Sequence, residues 1–242
     1  MKYAVFGDVH ANLEALQTVL AACEDLGVDK YLCIGDIVGY NADPGPCVDV
    51  IRELDVEVCI KGNHDEQASC DTELVGFNPQ AAMAIEWTRQ QLSAEQKEWL
   101  ASLPYQQTVG PKMTLVHATL DMPRMWGYIF DKLTAAACLN YQFTQVCFFG
   151  HTHVPLAFDK FGDVEGGRYD EIHLEPGHKY LVNVCSVGQP RDGDPRAGFV
   201  TFSPEDRRVE LHRVKYDLAR TQDKILRAGL PERLAQRLAF GR

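Results

Sequence analysis

Short apolar runs alternate with segments of helical rhythm through the first part of this chain. Residues 3–6, 31–34 and 56–60 read as strands, and strands that alternate with helices make βαβ units around a buried sheet. Between the first two, Leu13, Leu16, Val19 and Leu20 recur at helical spacing behind Asn12, whose side chain can cap the helix, and Gly27 supplies the stop. A second helix over 44–54 takes Asp43 as its cap and proline in its first turn.

Beyond residue 60 the rhythm changes. Asn78-Pro79 opens one helix, and Ser93 with Gln96 forms a capping box for another, so 66–104 reads as a helical insertion or cap. Strands return at 106–109 and 112–116, a helix is expected over 131–141, and 146–149 is a fully apolar strand. The last third reads mostly as antiparallel strands, at 171–174, 179–185, 197–202 and 209–214. Two short helices within 215–242, split at Pro231, close the chain. The expected class is α/β: one domain over 1–242 with two mixed β-sheets packed face to face as a sandwich and helices outside, a four-layer αββα arrangement. Strand ends would then converge on one edge, where open α/β sheets bind ligands.

Composition narrows the partners. With 242 residues and 45% hydrophobic side chains the chain can bury one sizeable core. Its net charge of −10 opposes nucleic-acid backbones and anionic membranes, so neither is an expected partner. No apolar run resembles a signal peptide or reaches the length of a membrane span, and a cytoplasmic location is expected. The eight cysteines form no CxxC pair and several lie in strand-like runs, which favours reduced core thiols over disulfides.

The polar residues that punctuate the apolar runs carry the chemistry. Asp8-Val9-His10, Gly35-Asp36, Gly62-Asn63-His64-Asp65, His117 and Gly150-His151-Thr152-His153 each follow a strand-like segment. Oxygen and nitrogen donors repeated at strand ends are what two adjacent divalent cations need. Asp8 and His10, two residues apart in an extended segment, would face the same side and grip one ion. Asp36 can bridge two ions, Asn63 offers an amide oxygen, and His117, His151 and His153 offer imidazoles. His151 and His153 serve different ions if their loop turns. Seven such side chains leave room for a bridging hydroxide, and the chemistry indicated is hydrolysis of a phosphate ester or anhydride. The glycines ahead of these ligands would let the backbone turn sharply. His173, His178 and His212 lack ligand spacing and are expected to be bystanders.

As an ordered set these motifs resemble those of the calcineurin-like metallophosphoesterases, which read DxH, GD, GNH(D/E), H and GHxH, and the match covers roughly residues 3–190. The resemblance implies that Asp8, His10, Asp36 and His153 hold one metal, and that Asp36, Asn63, His117 and His151 hold the other. It leaves His64 free of metal to protonate the leaving oxygen, with Asp65 orienting its ring. Asn12 matches a recurrent position of the first motif, and its capping role is an equal alternative. Manganese is the first candidate for both sites, with iron, zinc, nickel and magnesium as alternatives.

The choice of substrate lies between the motifs. Protein phosphatases of this family carry an arginine in GDxVDRG, absent from Gly35-Asp36-Ile37-Val38-Gly39-Tyr40. Small bacterial phosphodiesterases and dinucleoside polyphosphate hydrolases look similar in length and in the segments at Gly39-Tyr40 and 188–192, although Asn183-Val184-Cys185-Ser186 departs from their usual Asn-Pro-Gly-Ser. The resemblance therefore implies an enzyme cleaving phosphodiester or phosphoanhydride bonds of a small phosphorylated, nucleotide-like substrate. A phosphomonoesterase, a phosphoprotein phosphatase and a non-catalytic module of the same fold are the alternatives. Arg191 and Arg196 either clamp a substrate phosphate or pair with Asp192 or Asp194. Arg124, within an aromatic segment at 122–128, is a further candidate for substrate binding, where that segment either stacks a base or packs on the cap. The amphipathic C-terminal helices pack on their own domain or form a homodimer contact.

Overall fold

The computed structural model describes residues 1–74 and 76–242; Val75, inside the expected 66–104 insertion, lies outside the described residues. The first strands form where the apolar runs predict them, β1 at Tyr3–Phe6, β2 at Lys30–Cys33 and β3 at Val56–Cys59, all parallel. Alternation along β1 explains the layering. Tyr3 and Val5 turn to one core and Ala4 and Phe6 to another, so the strand is buried on both faces.

The helices α1 (Leu13–Asp25) and α2 (Pro44–Glu53) cover the Ala4/Phe6 face. Asn12 caps α1 through its Oδ1, which accepts from the Ala15 N–H. Asp43 does not cap α2 with its side chain, contrary to expectation, because its carboxylate is taken by the Lys224 ammonium at 2.7 Å. A short helix α3 (Asn63–Ala68) follows the third strand where the sequence offered only a turn signal. It is succeeded by α4 (Pro79–Gln91) and α5 (Ala94–Ser102). Ile85, Leu92, Leu100 and Leu103 join the same core as Leu16, Val19 and Ile51. The helices of the insertion thus complete the outer layer, and Gly76 to Asn78 with the first turn of α4 reach toward the strand ends.

The second sheet holds β4 (Gln106–Val109), β5 (Met113–Val116), β6 (Val146–Phe149), β7 (Leu156–Phe161), β8 (Asp163–Arg168) and β10 (Lys179–Asn183). The first sheet gains β9 (Glu171–His173), β11 (Ala197–Ser203) and β12 (Arg208–Val214), and the orders are β3-β2-β1-β11-β12-β9 and β4-β5-β6-β10-β7-β8. Both sheets are mixed. The β7–β8 hairpin escapes a reading of apolar runs because β8 is an edge strand, Asp-Val-Glu-Gly-Gly-Arg, with little of it buried. β10 runs parallel to β6 and antiparallel to β7, so the expected antiparallel character of the last third holds only in part.

Val5, Leu32 and Ile34 from one sheet meet Val146, Phe148 and Val182 from the other in the central core. α6 (Lys132–Leu139) covers the far face of the second sheet through Ala135, Cys138 and Leu139 against Cys147 and Phe149. The result is the four-layer αββα sandwich. Finally α7 (Leu218–Arg227) and α8 (Glu232–Leu238) pack Ile225, Leu234 and Leu238 onto Ala84 of α4. All eight cysteines are free, and no helix among the described residues is long and apolar enough to cross a membrane.

Candidate metal centre

The C-terminal ends of β1, β2, β3, β5, β6 and β10 meet on one edge, and the seven expected ligands are all buried there. Two trios of expected ligands form, Asp8 with His10 and His153 and Asp36 with His117 and His151, and a third group joins His10 and Asp36 to His64, which was not expected as a ligand. The two trios adjoin, since His10 Nε2 lies 3.6 Å from Asp36 Oδ2 and His117 Nε2 lies 3.9 Å from Asp8 Oδ1. Within the trios, His153 Nε2 is 3.2 Å from Asp8 Oδ1, His10 Nε2 is 3.1 Å from His153 Nε2, and His117 Nε2 is 3.3 Å from Asp36 Oδ2. Donors sharing one ion at about 2.1 Å in tetrahedral or octahedral geometry lie about 3.0 to 3.4 Å from their neighbours, so this crowding fits metal ligation. Asp8 Oδ1, Asn63 Oδ1 and His117 Nε2 are buried without a hydrogen-bond partner, which fits the same reading.

The way these side chains converge differs from the strand alternation expected of Asp8 and His10. Both residues lie past the end of β1, and five of the seven candidates adopt left-handed backbone: Asp8, His10, Asp36, His151 and His153, with φ between 48° and 64°. Such a conformation costs non-glycine residues of order 1 kcal/mol or more each, and it persists because the surrounding loops over-determine it. The turn at 151–153 also sends His151 to one trio and His153 to the other. Two glycines ahead of ligands are there for space, not for turning. A Cβ on Gly62 would lie 2.0 Å from Asp36 Oδ1, and one on Gly150 would lie 2.5 Å from Asp8 Oδ2.

Backbone carbonyls set the imidazole tautomers. His10, His117 and His153 place Nδ1 at 3.0, 2.8 and 2.6 Å from the carbonyls of Val38, Ile34 and Gln189, and Nδ1–H donation leaves Nε2 as the free donor toward the centre. His151 is reversed: its Nε2 faces the Trp126 carbonyl at 2.9 Å and Tyr128 stacks on its ring. Burial alone would push the Asp36 carboxyl up, yet His117 and His64 hold it well below the usual range. Against its own burial, His117 is pushed up to about 10 by Asp36 and Asp8. Beside the two carboxylates His117 thus favours positive charge, whereas burial pushes His10, His151 and His153 down toward the neutral imidazole.

Several supports gave no signal in the sequence. Asn183 Nδ2 donates to the Gly150 carbonyl at 2.7 Å and to Thr152 Oγ1 at 2.9 Å, fixing the histidine turn. Ser186 Oγ donates to the Asp8 carbonyl, and Asn41 Nδ2 to the His10 carbonyl. Asn12 serves as the helix cap and braces the Gly188 carbonyl. Asp65 does not orient His64: its carboxylate accepts from the N–H groups of Ile37, Val38 and Gly62. The His64 ring is instead held among Tyr40, Phe77 and His10, its Nδ1 is buried and unpartnered, and burial lowers its pKa to about 4.

The three arginines separate. Arg191 lines the cavity at the centre, and its Nη2 donates to Gln189 Oε1 at 2.9 Å. Arg196 is exposed and turned onto Asp194, the alternative weighed for it, while Asp192 pairs with Arg213. Arg124 lies over the Tyr105 ring, outside that cavity. Neither serves the site as first expected. In the aromatic segment, Trp126 Nε1 donates to Glu66 and its carbonyl holds His151, whereas Met125, Trp126 and Tyr128 form a wall of the cavity. His173, His178 and His212 pair with Glu171, Asp159 and Thr201, remote from the centre.

Residues 1–207 match the family described as the calcineurin-like phosphoesterase superfamily domain. The chain belongs to that superfamily. A protein of Methanocaldococcus jannaschii, MJ0912, itself described as uncharacterised, is similar at 38% identity over 99% of this chain and 98% of its own length. The crystal structure of a metallophosphoesterase from Sphaerobacter thermophilus superposes with a TM-score of 0.88 at 40% identity, covering 100% of this chain and 99% of that one. The protein PH1004 of Pyrococcus horikoshii shares the fold, with a TM-score of 0.83 at 19% identity over 100% of this chain and 98% of that one. As a calcineurin-like phosphoesterase the chain is a metal-dependent phosphoester hydrolase, and its buried Asp/His groups are those that could hold the metal ions.

Proposed function

We propose that this phosphoesterase is dinuclear and cleaves phosphodiester or phosphoanhydride bonds of small, nucleotide-like substrates. The observation that carries the reading is the adjoining pair of ligand trios, with Asp36 Oδ2 within 3.6 Å of a histidine nitrogen from each. Asp8, His10, Asp36 and His153 would hold one ion, and Asp36, Asn63, His117 and His151 the other. Manganese is the first candidate, since the carboxylate and amide oxygens suit that hard cation, while the imidazoles leave iron, nickel and zinc as alternatives. Bound there, two divalent ions supply Lewis-acid polarisation of the phosphoryl oxygens and acidify the attacking water.

The remaining work falls to the chain itself. Asp36 is aimed by the His64 backbone N–H, which donates to its Oδ1 at 2.8 Å. The His64 imidazole lines the cavity and is kept neutral by burial, with a pKa near about 4. An approaching anionic phosphoryl group raises that value and favours the protonated ring, which would then pass its proton to the leaving oxygen. Arg191, whose Nε is buried without a partner, clamps a non-bridging phosphoryl oxygen. The cavity of about 300 Å³ is walled by Tyr40, Phe77, Trp126 and Tyr128, faces suited to a nucleobase. A hydrolysis panel of phosphomonoesters, phosphodiesters, dinucleoside polyphosphates and a phosphopeptide, run with several metals, tests the reading. Diesters or anhydrides should lead with manganese; a phosphopeptide in first place, or no turnover with any metal, would refute it.

A further inference from the structure

Beside the metal centre lies a second cavity, of about 710 Å³, that shares Tyr40, Asn78, Ala81, Tyr128 and Arg191 with the first. Its far side is built by Arg233 and Arg237 of α8 and by Arg242 just beyond it, and among the described residues no Asp or Glu side chain lines it. On a protein of net charge −10, four guanidinium groups around one groove are a local reversal of sign. The first turn of α4, at Asn78 to Ala81, faces the same space, so the positive end of that helix adds to it.

The groove is held in shape. Leu234 and Leu238 anchor α8 against Ala84 of α4, and the Gly193 N–H donates to the Gly241 carbonyl at 3.0 Å, tying the end of α8 to the loop that carries Arg191. At Gly241, with φ +58, a Cβ would lie 2.6 Å from the Asp194 nitrogen, so the contact is too close for any side chain. Arg191 lies over the Tyr40 ring, 5.6 Å from its centroid, at the junction of the two cavities. Burial, and then the Arg191 charge, lower the Arg237 guanidinium to about 10, while its Nε donates to the Arg242 main-chain oxygen.

We infer that this groove is a second phosphate subsite, so that the substrate carries at least one phosphoryl group beyond the scissile one. The inference rests on the proposed hydrolytic reading for the place of the scissile group, and it adds the substrate class: a di- or polyphosphorylated compound laid from the metal centre across Arg191 to α8. Guanidinium forks bind phosphate oxygens in pairs, and their fixed placement spares ordering cost on binding.

Calorimetric binding of α,β-methylene-ADP and of AMP to the full-length, manganese-loaded protein tests it without any turnover. The two ligands share a base and differ in one phosphoryl group, so the nucleoside cancels in their affinity ratio, and the change of that ratio between wild type and variants isolates the arginines from the metals. The diphosphorylated analogue should bind at least tenfold more tightly than AMP, and the advantage should fall to about threefold or less in R233Q/R237Q. Because Arg237 also donates to the Arg242 main-chain oxygen, the exposed R233E alone supplies a variant that spares the fold and should erode the same ratio. An unchanged ratio in both variants, or no advantage in the wild type, would overturn the subsite. Loss of bis-p-nitrophenyl phosphate hydrolysis in the wild type would instead refute the hydrolytic reading, since the ratio is measured by binding.

Discussion

The metal centre and the arginine groove lie side by side, share Arg191, and are built on opposite principles. The centre is dug into the sandwich edge: its donors are buried, five of them on left-handed backbone, and nearly every nitrogen or oxygen not aimed inward is tied to a main-chain group. The groove is assembled on the surface from a loop, the start of α4 and an amphipathic helix, with Arg233 and Arg242 exposed to solvent and Arg191 and Arg237 half-buried. One is specified by local turns, the other by the docking of distant elements. The reaction can reside in the first, while the choice of substrate is free to change in the second.

Substitutions can break or sharpen this contrast. The largest effect is expected at Asp36, which both trios approach: Asp36→Asn should lower kcat/KM by about a thousandfold or more and reduce bound metal, checked by kinetics with elemental analysis. Near-normal activity would show that the carboxylate bridges nothing. His64→Ala should keep the metal content yet lose about a hundredfold or more in kcat, the size of a removed proton donor. Loss of metal in that variant would make His64 a ligand, a role its proximity to His10 and Asp36 leaves chemically open.

A smaller effect is expected at Asn183, which touches no metal donor atom but holds the turn between His151 and His153. Asn183→Ala should weaken metal binding by about tenfold to a hundredfold, measured by competition with a chelator, because outer partners orient the ligands. An unchanged metal affinity with only a lower melting temperature would reduce Asn183 to a packing residue. Smallest of all, Arg196→Gln should change kcat/KM by less than about twofold, since its guanidinium is exposed and turned to Asp194.

The same contrast explains what was legible in the sequence. Strands 3–6 and 146–149 followed from continuous apolar runs, and the capping box at Ser93 and the cap at Asn12 formed as their spacing required. The candidate ligands could be picked out because each sits directly after such a strand. Their backbone conformation could not, since left-handed φ at Asp8 or His151 is imposed by neighbours such as Asn183 and Ser186, far along the chain. Asp65 follows His64 in sequence, which suggested a partner for the ring, yet three backbone N–H groups compete successfully for its carboxylate. Arg233 and Arg237 carried no signal in the sequence; only the meeting of α8 with the 189–196 loop gives them a shared groove.

The central claim is that two cations share one centre through Asp36. Titration of manganese into the metal-free chain, followed by calorimetry, tests it most directly. The account predicts a stoichiometry of about two ions per chain for the wild type, falling in Asp36→Asn with weakened binding at both sites. A single ion per chain, or two ions bound as tightly by Asp36→Asn as by the wild type, would contradict it.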